Sequence, residues 1–206
     1  SVDAVFRDDG AKRAELEGLT VDSFSPHAYL EAARGARAAV FSYSGWFDMG
    51  YANAAIKRHL NLSNPENRLL LGPWNHGGTE EVDPRGRPRR CRYDHDGELL
   101  GFFDQHLKAQ PRPPTAPVRY FTLVENAWKE AASWPPLSRR CPYYLSDHGS
   151  LSPAPSVADS PESDLYRPTR PSTMGHRTRW TSGFGLPVDY GDRRPSDEAR
   201  LTYDSQ

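Results

Sequence analysis

The sequence predicts a mixed α/β fold followed by an all-β part, and three observations lead there. Apolar clusters before residue 110 alternate between helical spacing and short buried runs, the order expected of a parallel sheet with crossover helices. The segment Gln110-Pro-Arg-Pro-Pro-Thr-Ala-Pro117 carries too many prolines for a helix or a central strand and reads as a linker. Beyond it helical periodicity disappears, and short apolar stretches separated by turn residues suggest a β-sandwich.

Taking the elements in order, Ser25-Pro26 predicts a helix start, with serine as cap and proline in the first turn, and His27 to Arg34 as the helix. Ala38 to Tyr43 reads as a buried parallel strand. Ala52, Ala55, Ile56 and Leu60 recur at helical spacing, Asn64-Pro65 breaks the chain, and Arg68 to Gly72 reads as a second buried strand. Leu100, Phe103 and Leu107 mark the apolar face of a third helix, with Asp96 as its expected cap. After the linker, Val118 to Leu123, Tyr143 to Leu145 and Ala199 to Tyr203 read as strands, and 146–172, rich in Ser, Pro and Asp, as a long surface loop. The expected division is 1–110 for the α/β part and 111–206 for the β part.

The 206 residues are 36% hydrophobic and 11% aromatic, enough for a core, and the formal net charge is −1. That balance gives no general attraction to nucleic acid or to acidic membranes. No apolar run approaches a bilayer-spanning length. Ser1 opens the chain without a charged-then-apolar leader, so the start is expected to be a processed end or a cut inside a longer gene, and Leu201 to Gln206 reads as a strand without a closing turn, so the far end is expected to be cut as well. Cys91 and Cys141 lack metal-ligand spacing and read as two unpaired thiols, which fix no compartment.

Chemistry is expected on two loops, Tyr43-Ser-Gly-Trp-Phe-Asp48 and Gly72-Pro-Trp-Asn-His-Gly77, because each follows a strand and open α/β sheets bind ligands beyond the carboxyl ends of their strands. An aspartate beyond one strand and a histidine beyond the next can meet at one sheet edge, where a carboxylate fixes an imidazole's tautomer and stabilises its charged form. Asp48 could alternatively cap a helix starting at Met49.

Ser44-Gly-Trp-Phe-Asp48 followed by Leu71-Gly-Pro-Trp-Asn-His-Gly77 resembles the cocaine esterase and X-prolyl dipeptidyl-peptidase type of α/β-hydrolase. Phe102-Phe-Asp-Gln-His-Leu-Lys108 is similar to the helix closing that family's hydrolase domain. Pro117-Val-Arg-Tyr-Phe, Glu125-Asn-Ala-Trp-Lys129, Ser133-Trp-Pro-Pro136, Asp189-Tyr-Gly-Asp-Arg193 and Leu201-Thr-Tyr203 resemble parts of its C-terminal jelly-roll. The resemblance implies the C-terminal part of an α/β-hydrolase sheet, with 1–24 as the end of a cap, followed by an incomplete, galactose-binding-like jelly-roll sandwich. It implies Asp48 as triad acid and His76 as general base, with Trp46, Phe47 and Trp74 shaping a substrate pocket. It implies no cofactor and no metal, and a small ester, amide or X-prolyl peptide substrate. Phe47 stands where the family commonly has tyrosine. No G-x-S-x-G or G-x-S-x-x-G elbow occurs in the chain, and Ser44 lies on the acid's own loop, so the nucleophile is expected outside these residues and the chain alone is expected to be inactive.

Other readings are weighed beside this one. A non-catalytic jelly-roll binding protein or pseudoenzyme is the rival, with Trp128, Trp134 and Trp180 as sugar-stacking candidates against sandwich core. His59, His95, His106 and His148 are expected on surfaces, with a core-facing His106 as the exception. His76, His95 and Asp94 follow no familiar metal-ligand spacing. Arg85, Arg87, Arg89, Arg90 and Arg92 read as a solvated loop balanced by Asp94, Asp96 and Glu98, not as a nucleic-acid patch. A homo-oligomer is left open.

Overall fold

The computed structural model describes residues 18, 21–84, 87–108, 110, 115–146, 149–155, 177–192, 194 and 202–205. Ser25 caps a 3-10 turn, Pro26–Tyr29, and its hydroxyl accepts from the His27 amide before helix α1, Leu30–Gly35. Strand β1, Phe41–Phe47, leads into helix α2, Tyr51–Asn61, and strand β2 spans Arg68–Asn75. Two short strands follow, β3 at Glu80–Glu81 and β4 at Arg89–Arg90, then helix α3, His95–Leu107. Strands β5, Val118–Thr122, and β6, Ala127–Ala131, precede β7, Tyr144–Ser146, β8, Ser150–Ser152, and β9, Asp204–Ser205.

Strand β2 is the spine of the sheet. It pairs parallel with β1 on one side and parallel with β5 on the other, and β6 adds antiparallel to β5. Such a strand is covered on both faces, so it can carry a continuous apolar run. Leu69, Leu70 and Leu71 are all at most 2% exposed. Burying each such side chain is worth roughly 1.5–3 kcal/mol relative to exposure. Helix α2 lays Ala52 and Ala55 on this run, and Val118 of β5 closes the cluster. Two small residues let the helix approach the sheet closely.

The first sheet continues beyond the proline-rich segment. Val118–Thr122 and Ala127–Ala131 continue the first sheet rather than opening a second one at residue 111. The proline-rich linker interrupts the chain, and the chain then returns to the free edge of β2. A five-residue strand reads the same in either sheet, so the sequence offered no distinction. Beyond it, β7, β8 and β9 form a separate three-stranded sheet. Strand β8 lies inside the stretch expected to be a loop, and the expected strand at Ala199 to Tyr203 lies partly outside the described residues, with β9 starting at Asp204.

Helix α3 departs from its sequence reading in two ways. Its cap is Asp94, whose carboxylate accepts from the Gly97 amide at 2.9 Å, and Asp96 sits inside the first turn. Its expected apolar face is exposed: Leu100, Phe103 and Leu107 are 60%, 51% and 78% accessible, while Phe102 is the buried anchor, its ring 5.2 Å from that of Phe41. Among the described residues no helix is long and apolar enough to cross a membrane.

The arginine loop forms a charge ladder. Glu80 stands opposite Arg90 and Glu81 opposite Arg89 across β3 and β4, and opposite charges on facing strands attract. Arg85 lies outside the described residues. The tryptophans also divide. Trp128 packs on Trp74 and Tyr93 beneath the Arg119 guanidinium, and Trp134 packs on Trp46 and Tyr120, while Trp180 is 41% exposed.

Candidate active site

Register brings the two loops together. Phe41 faces Arg68 and the pairing runs in step to Gly45 opposite Gly72, then slips so that Phe47 faces Asn75. This bulge gives β2 one extra residue, and the next residue on each strand is Asp48 and His76. Parallel pairing places both on the same edge of the sheet. The close approach depends on Gly45, because a Cβ there would run into the carbonyl oxygen of Trp74.

His76 Nδ1 lies 2.6 Å from Asp48 Oδ1. An ionised carboxylate only accepts, so Nδ1 carries the proton and Nε2 is left as the basic nitrogen. Among the described residues no protein atom hydrogen-bonds Nε2. The second carboxylate oxygen, Oδ2, accepts from Ser44 Oγ at 3.1 Å. The Asp48 side chain is 15% exposed and that of His76 47%. The histidine opens a tight turn in which Gly77 and Gly78 both take left-handed φ, +79° and +65°, values that favour glycine. Asp48 does not cap α2: the helix begins at Tyr51 with Gly50 as its cap residue, and Asp48 contributes its backbone carbonyl to the Tyr51 amide.

The expected pocket residues are placed differently from the pair. Trp74 is 1% exposed and spends its faces on Tyr43, Tyr93, His95 and Trp128. Phe47 is 6% exposed and packs with Val82, Val188 and Tyr190. Trp46 donates from its indole to the Phe121 carbonyl at 2.7 Å and leans on Trp134. These three rings build the floor under the loops. The ring beside the imidazole is Tyr51, 5.7 Å away between centroids and half exposed. The apolar run of β2 could have warned of this for Trp74, since that strand is buried from Leu69 through Asn75.

The sequence reading also missed what holds the histidine turn from behind. His95, expected on the surface, is partly buried: its Nε2–H donates to the Gly78 carbonyl at 3.0 Å, and Nδ1 accepts from the Tyr43 hydroxyl. Cys91 Sγ sits 3.3 Å from His95 Nε2, and burial is the largest influence pushing its thiol pKa up. Both cysteines are free thiols, as expected. His59 is half-buried, its Nδ1 has no hydrogen-bond partner among the described residues, and burial pushes its pKa down. His106 packs at a tilt against Phe102, ring centroids 4.5 Å apart. His148 lies outside the described residues.

The chain is similar to known proteins in sequence and in fold. Residues 17–78, which contain both loops, match the family described as X-Pro dipeptidyl-peptidase (S15 family). Proteins named "Putative serine esterase" of Mycobacterium bovis and Mycobacterium tuberculosis are each 45% identical to the chain over 194 residues, covering 92% of it. The chain spans 31% of the length of these curated relatives. In fold, it is similar to an aminopeptidase from a marine sediment archaeon, a Thaumarchaeota archaeon, with TM-score 0.54 and 23% identity over 84% of this chain and 31% of that one. It is also similar to an α-amino acid ester hydrolase, with TM-score 0.52 and 22% identity over 76% of this chain and 29% of that one. The chain thus resembles proteins of the X-Pro dipeptidyl-peptidase (S15 family) type, and the part that matches the family is the part that carries the two loops.

Proposed function

We propose that this chain supplies the acid and the base of a serine-dependent acyl hydrolase that cleaves an ester or an amide, X-prolyl peptide bonds included. The observation that carries the reading is the 2.6 Å bond from His76 Nδ1 to Asp48, with Nε2 left basic at the carboxyl edge of two parallel strands. The serine nucleophile and its oxyanion donors come from outside residues 1–206, in which no G-x-S-x-G elbow occurs. His76 Nε2 takes the serine proton as the oxygen bonds the carbonyl carbon, and then gives it to the leaving group as the tetrahedral intermediate collapses. Water repeats both transfers to release the acid. Asp48 stabilises the imidazolium formed in each half.

In this reading β7, β8 and β9 belong to a galactose-binding-like jelly-roll sandwich, which their separation from the first sheet supports. The segment 1–24, read as the end of a cap, lies mostly outside the described residues. The substrate is a small ester, amide or peptide, and no cofactor takes part.

The test is His76→Ala in the full-length protein, assayed on p-nitrophenyl esters and X-prolyl p-nitroanilides. Turnover should fall by about 10³-fold or more, as when a triad member is removed, with the melting temperature kept. The 206-residue chain assayed alone should show no turnover above the uncatalysed rate. Retained turnover in His76→Ala would reject the base assignment, and a full-length protein without turnover would favour the binding-protein reading.

A further inference from the structure

We infer that the 3-10 turn Arg179–Phe184, some 130 residues downstream of the acid, is a positioning element for Asp48, with Ser182 as the residue that fastens it; this rests on the triad reading above. The turn grips the backbone on both sides of the carboxylate. On the N-terminal side, Ser182 Oγ lies 2.9 Å from the Phe47 carbonyl oxygen, and on the C-terminal side the Met49 amide donates to the Arg179 carbonyl at 3.2 Å. The same hydroxyl lies 2.7 Å from the Arg179 carbonyl, so its single proton is shared between a carbonyl on each half of the grip. Ser182 is 2% exposed.

Met49 shows what the grip is for. Its φ is +47°, in the left-handed region that a non-glycine residue enters at a cost of about 1–3 kcal/mol and keeps only when its surroundings enforce it. The left-handed residue reverses the chain directly after Asp48, so the carboxylate turns toward His76 and does not continue as a helix cap. Packing presses the turn into place: a Cβ on Gly183 would meet the Met49 sulfur, and a Cβ on Gly50 would lie 3.6 Å from the Trp180 ring. Farther along, Val188 is fully buried against Phe47, and the Tyr190 hydroxyl accepts from the Arg179 amide at 3.1 Å. The turn lies against β1, β2 and the histidine turn together. Geometry fixed this way sets the direction of the Asp48–His76 bond, to which proton transfer is sensitive.

The experiment compares Ser182→Ala, Ser182→Cys and Ser182→Thr in the full-length protein. It reads kcat, KM, melting temperature and the downfield proton resonance of His76 Nδ1–H. Ser182→Ala should lower kcat about tenfold with KM within about twofold, and should shift or broaden the resonance. Ser182→Thr, which keeps the hydroxyl, should restore most of both. Ser182→Cys fills the site with a weak donor and should fall between, which preserves the test if the alanine variant folds poorly. An unchanged resonance with kcat within about twofold in the alanine and cysteine variants would overturn the positioning role. If His76→Ala retained turnover, the base assignment would fail, while the resonance would still show whether Ser182 holds the Asp48–His76 bond.

Discussion

Asp48 and His76 stand one hydrogen bond apart on neighbouring strands, yet they are held very differently. Asp48 has both carboxylate oxygens bonded, to His76 and to Ser44, and the backbone on either side of it is tied to a turn from the far end of the chain. His76 rises from two left-handed glycines, is 47% exposed, and is held through one ring nitrogen. The difference suits the two proposed roles. A group that carries a proton between partners needs some freedom, and a group that supplies a fixed charge needs none.

The comparison breaks most completely at the carboxylate. Asp48→Asn keeps the shape but can stabilise the wrong imidazole tautomer, so kcat should fall by about 10⁴-fold in the full-length protein while the melting temperature holds. Loss of less than about tenfold would mean that the fixed charge is not what the loop provides.

Gly45→Ala should be next in size. Its methyl would be driven into the Trp74 carbonyl, at the bulge that aligns the two strands. We expect a loss of about 3 kcal/mol or more in stability, read by denaturant unfolding, and a matching loss of soluble protein. An unperturbed melt would show that the strands can separate without cost, and the register argument would then lose its basis.

Ser44→Ala sharpens the comparison more gently. It removes one of the two bonds to a mostly buried carboxylate and should cost about 1–3 kcal/mol in stability and less than about tenfold in kcat. A larger loss in kcat than in Asp48→Asn would indicate that Ser44 has a chemical role of its own.

The smallest effect concerns the histidine turn, which Cys91 backs through its amide bond to the Thr79 carbonyl and its contact with His95. Burial disfavours the thiolate and pushes the Cys91 pKa up from its ordinary value, so the reactive form accumulates only at higher pH. Alkylation by iodoacetamide should therefore be slower at Cys91 than at the exposed Cys141 near pH 8, and the gap should narrow as pH rises through the Cys91 pKa. Equal rates at pH 8, read by peptide mass spectrometry, would show that the turn opens freely.

What the sequence determined by itself was local. Short-range periodicity located α2 and β2, because a helix over a doubly covered strand leaves its spacing in the chain, and loops beyond consecutive strands pointed to Asp48 and His76 without coordinates. Serine as the cap at residue 25 and the unpaired cysteines were legible for the same reason: each depends on near neighbours. What only the tertiary structure decided was long-range. Leu100, Phe103 and Leu107 have the spacing of a buried face, but which face of α3 meets the sheet depends on where Phe41 stands, and that selects Phe102. Val118–Thr122 has the pattern of any short strand, and only pairing with β2 assigns it to the first sheet. Trp46, Phe47 and Trp74 flank Asp48 and His76 in sequence but turn into the packing, because neighbouring strand residues point to opposite faces and this sheet is packed on both. Ser182 carries no signal of its own: a serine 134 residues from the acid gains a role only once folding sets its hydroxyl against the Phe47 carbonyl.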